Sequence, residues 1–287
     1  MPQNLRAIRR KTHTVQSIWK ITRAMKMVAA AKLRRVQGAV ENGRVYWDRL
    51  DQILRDVAGR VGEISHPFLE PRDVEPVGVV VIAGSRGLCG SFNVTLLREA
   101  AGFLSGLDRP VKLITIGPKA AQSFAKGPWD VVQSYPSPDD AGRATMARQL
   151  SRQLQTMLLT NQVGEVHVLY SRFYSAMRHV PTARQLLPIA PPEAAKNGDA
   201  ARSILFEPPA EQLLASLLPR ATDAAVYEML LNAAASEEGA RMTAMTTATD
   251  NAEEMIVTLT RDFNRARQTQ ITNELLEVIA GADALAE

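Results

Sequence analysis

Residues 20–35 read KITRAMKMVAAAKLRR. The stretch is basic, rich in Met and Ala, and contains no Asp or Glu. The first acidic residue of the chain is Glu41, after ten Lys and Arg. No Pro lies between Gln3 and His66. Apolar positions recur at Leu5, Ile8, Val15, Ile18, Thr22, Met25, Val28 or Ala29, Leu33, Val36 and Val40, mostly in steps of three, four or seven. That spacing is one face of a long helix. Gly38, Gly43, Gly59 and Gly62 are expected to loosen its later turns. The run from His66-Pro67 through Pro71 and Pro76 closes it.

The chain ends the same way. Beyond Pro219 there is no Pro, and Gly occurs only at 239 and 281. A second stripe runs through Met242, Met245, Ala248, Ala252, Met255, Leu259, Phe263, Ala266, Ile271, Leu275 and Ile279, close to a heptad seam. A continuous helix from Ser236 to Ala280 would be roughly 65 Å long at 1.5 Å per residue. Two amphipathic helices of this size cannot both lie inside a domain of this mass, and neither is stable alone in water. The solution is an antiparallel pair, seam to seam. Charge agrees: residues 1–40 carry +10, and residues 236–287 hold ten acids against four bases, a net −6. Exposed ion pairs contribute little singly, but their sign pattern favours this pairing over self-pairing.

Between the helices the pattern changes. VGVVVIAG (77–84) is a buried-strand run, VKLITIG (111–117) a second and VVQSY (131–135) a third. EVHVLYSRF (165–173) is a fourth, and ARQLLPI (183–189) and SILFEP (203–208) are shorter extended candidates. Helical segments at 91–104, 118–125 and 141–159 separate them. Alternation of this kind predicts a parallel or mixed sheet covered by helices. The expected fold is α/β: a long antiparallel coiled coil of the terminal helices plus a Rossmann-like central domain. The expected divisions are 1–66 for the N-terminal shaft helix, 67–209 for the α/β domain and 210–287 for the C-terminal shaft helix.

No catalytic constellation stands out. GSRGLCG (84–90) lies between a strand and a helix, where phosphate-binding loops lie. It lacks both GK[ST] and G-x-G-x-x-G, so a tight turn is the plainer reading. Cys89, the single cysteine, has Arg86 nearby in sequence but no His, and reads as a small buried residue. His13, His66, His167 and His179 have no metal-ligand spacing. Glu237-Glu238 and Glu253-Glu254 are neighbours on a helix, about 100° apart, and read as a solvated or partner-facing acidic side. The basic face of residues 6–35 suits DNA, RNA, anionic lipid or a protein. Trp19 is its only aromatic residue, which serves base stacking poorly, and Val and Ala stand where a lipid-binding helix places Trp, Phe and Leu. An interaction or mechanical element is the leading class, ahead of a nucleic-acid binder or a small enzyme built around GSRGLCG.

KITRAMKMVAAAKLRR, GSRGLCGSFN (84–93), ARMTAMTTATDNAEEMI (240–256) and ARQTQITNELLEVIAGADAL (266–285) resemble the signatures of the gamma subunit family of F-type ATP synthases, bacterial type. They occur in the family's order and span essentially the whole chain. The resemblance implies a non-catalytic rotor shaft inside a hexamer of three alpha and three beta subunits, with active sites on beta. Its body would rest, with epsilon, on the membrane ring of c subunits. No cofactor, metal or nucleic acid is implied, and membrane association is indirect. Carried over by position, Arg23, Met25 and Lys26 face the acidic lever of beta. Arg241, Arg267, Gln268 and Thr272 meet the catch loops and upper bearing. Ile204, Leu205, Phe206 and Glu207 form the foot on the c-ring. That foot reads ILFEP here, where many members carry two tyrosines. A single cysteine and no room for the chloroplast insertion argue against thiol regulation of that type. With no transit peptide before the signature, the expected location is the cytoplasmic face of a bacterial inner membrane.

Overall fold

The computed structural model describes residues 5–61, 66–189, 207 and 209–286. Its elements are α1 (Leu5–Val61), β1 (Val77–Ile82), α2 (Phe92–Ser105), β2 (Val111–Ile116), α3 (Pro118–Phe124), β3 (Asp130–Tyr135), α4 (Arg143–Leu159), β4 (Glu165–Ser175), β5 (Arg178–Leu187) and α5 (Ala210–Ala286). They form two compact units. Residues 1–29 with 242–287 make one, and residues 30–241 make the other.

The larger unit is built on one sheet of order β3-β2-β1-β4-β5. β1 runs parallel to β2 and to β4, and β2 parallel to β3. β5 closes the edge antiparallel to β4. The order 3-2-1-4 is that of half a doubly wound nucleotide-binding sheet, so the expected Rossmann-like body is observed. β1 is buried along its whole length, which is why it is a continuous apolar run rather than an alternating one. Val80 and Ile82 face a core with Leu150, Leu154 and Leu158 of α4, and both long helices reach that core, α1 through Leu50 and Leu54, α5 through Leu218 and Met229. Val79 and Val81 face the opposite core, where Leu96 and Leu104 of α2 pack with Phe124 of α3.

The smaller unit is a two-helix coil. Ile8 and Val15 of α1 are buried against Ala252 and Leu259 of α5, with Trp19, Ile256, Phe263 and Ala266 packed around them. Arg9 lies over the ring of Phe263, 5.7 Å from its centroid, whereas Thr22 meets Thr249 hydroxyl to hydroxyl at 3.0 Å. Rising numbers on α1 therefore meet falling numbers on α5, and the pair is antiparallel. Buried Ile8, Val15, Thr22 and Ala29 are spaced by seven, and Met245, Thr249, Ala252, Ile256, Leu259, Phe263 and Ala266 by alternating fours and threes. These are heptads, the spacing of a left-handed coiled coil.

Three expectations change. The seam does not run through Ile18 and Met255, which are 47% and 46% exposed, and at the position left open between Val28 and Ala29 it takes Ala29, 1% exposed. Several outward positions are apolar too, and a stripe drawn through apolar residues drifts onto them. α1 continues through Gly38, Gly43 and Gly59 without a break, because its later turns are held by the sheet core. α5 starts at Ala210 as expected and passes through Pro219, whose carbonyl accepts a bond from Gln155 Nε2 at 3.2 Å. β5 begins at Arg178 rather than 183, because pairing such as Phe173 with His179 propagates the β4 ladder outward; as an edge strand it tolerates Pro181. The SILFEP segment lies outside the described residues except Glu207, which is exposed.

The register is testable on one helix. Leu259 is 7% exposed and Met255, one turn earlier, 46%. Leu259→Asp should cost at least about 3 kcal/mol of unfolding free energy, since it loses apolar burial and gains a buried charge. Met255→Asp should stay within about 0.5 kcal/mol of the parent. Urea denaturation followed by circular dichroism checks both, and equal losses would refute the register.

Candidate functional site

β1 ends at Ile82, and the chain then turns through GSRGLCG into α2. In a doubly wound sheet this crevice at the carboxyl end of the first strand is where a nucleotide's phosphates are received. Here a carboxylate of the same chain holds the place. Both oxygens of Glu237, on α5, accept from Ser85 N–H at 3.1 Å. Ser85 Oγ donates to Oε1 at 2.9 Å and Arg86 N–H at 3.3 Å. Arg241, one helical turn along α5, donates to Glu237 Oε1 at 2.5 Å and to Glu238 Oε1 at 2.8 Å. Lys32 of α1 reaches Glu238 at 3.9 Å.

The loop fits tightly around this carboxylate. A Cβ at Gly84 would lie 2.7 Å from Asn93 Oδ1 and 3.1 Å from Glu237 Cδ, so only glycine fits there. Leu88 and Gly90 take left-handed backbone, φ 62° and 59°, which curls the loop back toward α2. Asn93 ties the ends together, accepting from Gly84 N–H at 2.9 Å and donating to Arg86 O at 3.3 Å. Cys89 is buried beneath the loop beside Phe92 and Ala240. Burial pushes its thiol pKa up; Arg241 opposes and Glu237 reinforces this. It is an unreactive packing residue rather than a nucleophile.

Burial works to lower the Arg241 pKa, but the hydrogen bond and charge of Glu237, with the charge of Glu238, outweigh it and leave it raised. Arg241 is thus a buried hub with both carboxylates in cis, at the position the resemblance assigns to a catch-loop contact. Glu237, 8% exposed, corrects the reading of Glu237-Glu238 as a solvated acidic side, whereas Glu253 and Glu254 are exposed as expected.

The remaining carried-over residues divide by unit. In the coil, Arg23 is exposed and lies over the Trp19 ring at 5.0 Å, while Met25 and Lys26 are half-buried. Residues two apart on a helix point to opposite sides, so Arg23 and Met25 flank the seam on opposite edges instead of forming one patch. Lys26 occupies a heptad position, its stem along the seam and its ammonium free to reach outward. Arg267, Gln268 and Thr272 are exposed on α5 beyond the last buried seam position, and Thr272 Oγ1 donates to Gln268 O at 3.0 Å. Ile204, Leu205 and Phe206 lie outside the described residues. Among the described residues, no group of three or more His, Cys, Asp or Glu is placed to hold a metal. No helix there is long and apolar enough to cross a membrane.

The chain thus pairs heptad helices drawn from both its ends in one unit, and in the other carries a nucleotide-type sheet whose loop after β1 holds its own glutamate. Residues 4–285 match the family model described as ATP synthase. The ATP synthase gamma chain of Moorella thermoacetica is 44% identical over 283 residues, covering 98% of this chain and 99% of that one. The gamma chain of Brevibacillus brevis is 37% identical over 289 residues, covering 100% of both. Among solved structures, a chain of the Euglena gracilis mitochondrial ATP synthase OSCP/F1/c-ring assembly matches with TM-score 0.66 and 21% identity, over 98% of this chain and 94% of that one. One from the Tetrahymena thermophila mitochondrial ATP synthase central stalk/c-ring matches with TM-score 0.57 and 24% identity, over 79% and 99%. The chain belongs to the ATP synthase gamma-chain family. As a gamma chain it is a non-catalytic subunit of the ATP synthase, peripheral to the membrane.

A histidine of β5 near the start of α2 is expected to make stability depend on pH. His179 packs on Phe92, ring centroids 5.6 Å apart, and its Nδ1 is buried with no hydrogen-bond partner. Burial lowers its pKa, and that of His66. A histidine whose folded pKa is depressed is neutral in both states above its ordinary value, so its contribution is intact there. Stability then falls as pH drops from about 6.5 through the folded value, because only the unfolded chain takes the proton readily. His179→Phe should flatten that acid-side loss, measured as urea midpoints from about pH 7 to about pH 5. An unchanged slope would show that His179 is not a source of it.

Proposed function

We propose that the coil of α1 and α5 is the rotor shaft of an F-type ATP synthase, turning inside a hexamer of three alpha and three beta subunits. The α/β body, with epsilon, stands on a ring of c subunits at the cytoplasmic face of a bacterial inner membrane. Ion flow turns the ring, and the shaft turns with it. The observation that carries this reading is the coil itself. Its apolar seam is satisfied internally, while its outward positions remain exposed and present a basic, Ala-rich surface on α1. Such a surface suits successive sliding contacts rather than one deep docking site.

Coupling then works by population shift. Each orientation of an asymmetric shaft favours one conformation of each beta subunit, and it shifts that equilibrium only by its differential contact energy. A potential of 100 mV supplies about 2.3 kcal/mol per charge moved, so several ions per step match the roughly 5.5 kcal/mol needed to invert a two-state population. Arg23, Met25 and Lys26 act at the acidic lever of beta, from both edges of the seam. Arg267, Gln268 and Thr272, with exposed Ile271 and Leu275 between and beside them, act at the bearing. Glu207 and the segment before it form the foot. Arg241, 7% exposed and paired in cis with Glu237 and Glu238, belongs to the same catch-loop set as Arg267.

Co-expression with alpha and beta should yield a complex holding one copy of this chain per three beta subunits; a chain that never joins them sinks the reading. Within such a complex, Met25→Lys adds a cation at a half-buried edge of the seam. It should lower protons pumped per ATP hydrolysed while leaving assembly intact. Unchanged pumping per ATP would remove Met25 from the coupling contact.

A further inference from the structure

The loop 84–90 shares its position and backbone form with anion-binding loops, yet the residue that enters it comes from 152 positions away in sequence. Four donors converge on the Glu237 carboxylate: Ser85 N–H, Ser85 Oγ, Arg86 N–H and Arg241 Nη2. Successive backbone N–H groups in a tight turn make a concavity for an oxyanion. All four reach Oε1, and Ser85 N–H is shared with Oε2, so an amide would lose the charge that Arg241 balances and turn its NH2 group toward Ser85 N–H. The enclosure is complete on the helix side too, where Gly84 lies against Glu237 Cδ.

We infer that the loop 84–90 is an oxyanion seat whose resident ligand is the chain's own Glu237 carboxylate, and that its occupancy keeps the loop closed over Cys89. Glu237 is a positioning residue here. It fastens the carboxyl end of β1 to α5 in place of the phosphate that related sheets receive. Arg241 holds Glu237 in the bonding rotamer from the far side and balances its charge. Asn93 keeps the loop mouth narrow, and it also donates to Cys89 Sγ at 3.3 Å, so the thiol lies under the same lid. With Glu237 absent, the seat would accept a small carboxylate or phosphate from solution.

Cys89, the only cysteine of the chain and 3% exposed, reports the state of the loop. The experiment follows N-ethylmaleimide alkylation of Cys89 in the full-length chain as a function of pH. The midpoint of the rate profile reads the thiol pKa, which loss of the Glu237 charge shifts by itself; the limiting rate reads access. Glu237→Gln and Glu237→Ala should raise the limiting rate by roughly tenfold or more, the scale of losing charge-assisted bonds. In the alanine variant, formate should restore protection and chloride at equal ionic strength should not. The inference is overturned if limiting rates match the parent in folded variants, or if formate protects no better than chloride. Should the alanine variant fail to fold by circular dichroism, the glutamine variant decides through hydrogen exchange at the Ser85 and Arg86 amides. Faster exchange supports the seat, and unchanged exchange overturns it. The readout concerns the loop alone, so its failure leaves the shaft reading standing, and the converse holds.

Discussion

Each unit depends on burying a stripe that a single helix cannot bury alone. An isolated amphipathic helix gains one hydrogen bond per residue against a conformational cost of similar size. Burial of the stripe supplies the surplus. In the coil that surplus comes from Ile8, Val15, Ala252 and Leu259, with Trp19 and Phe263 closing the layers. In the body it comes from Leu50, Leu54, Leu218 and Met229 against the sheet and α4. The heptad spacing permits long contact with little side-chain bulk. Ala29 and Ala252 allow close approach, and the Thr22–Thr249 pair sets a polar layer within the apolar seam. A polar layer of that kind favours the register in which both hydroxyls are satisfied over neighbouring registers in which they are not.

Much of this is legible in the sequence, and the failures share one cause. The Pro-free spans at both ends, the β-branched runs and their alternation with helices come from local patterning, and they survive in the structure nearly residue for residue. The seam was displaced because Ile18 and Met255 are apolar yet face outward, while Lys26 and Thr249 are polar yet occupy heptad positions. Periodicity reads hydrophobicity, and it fails where outward residues are kept apolar for another surface. β5 was underestimated because its first half is specified by ladder pairing with β4, not by its own residues. Glu237 was missed altogether. Its loop partners, Ser85 and Arg86, lie 152 and 151 positions away, and no local window contains them together with Glu237. The one local signal was the turn spacing of Glu237 and Arg241 beside a Gly-rich loop that matched no phosphate fingerprint.

The charge asymmetry of the two ends acts less through contacts than its size suggests. Arg9 and Arg23 lie over Phe263 and Trp19 rather than over carboxylates. Arg stacks well on aromatic faces because its guanidinium is planar and weakly hydrated. In the body, α1 does use its cations in pairs, Lys32 with Glu238 and Arg35 with Asp140, the latter at 3.4 Å and largely exposed. Pairs of that exposure are worth little. The like-signed face of α1 therefore costs little within the chain, and it leaves a field of one sign directed outward, where it bears on partners and on their approach.

The buried ionic cluster at Glu237 and Arg241 answers a different need. Two charges taken from water recover their desolvation only if each is held by further bonds. Glu237 gains three donors from the loop in addition to Arg241, and Arg241 gains Glu238 as a second acceptor. Replacing Glu237 alone by an apolar residue would leave the loop amides and the Arg241 guanidinium without their acceptor, at a cost of about 3–5 kcal/mol. What the cluster provides is direction. Apolar contacts between a helix and a sheet slide at small cost, whereas bonds of 2.5 to 3.3 Å converging on one carboxylate resist both rotation and translation of α5 against β1. A subunit that transmits torque through a long helix needs that helix pinned to its own body at a point that cannot creep. At the carboxyl end of β1 the loop amides, the Ser85 hydroxyl and Arg241 hold a single side chain together.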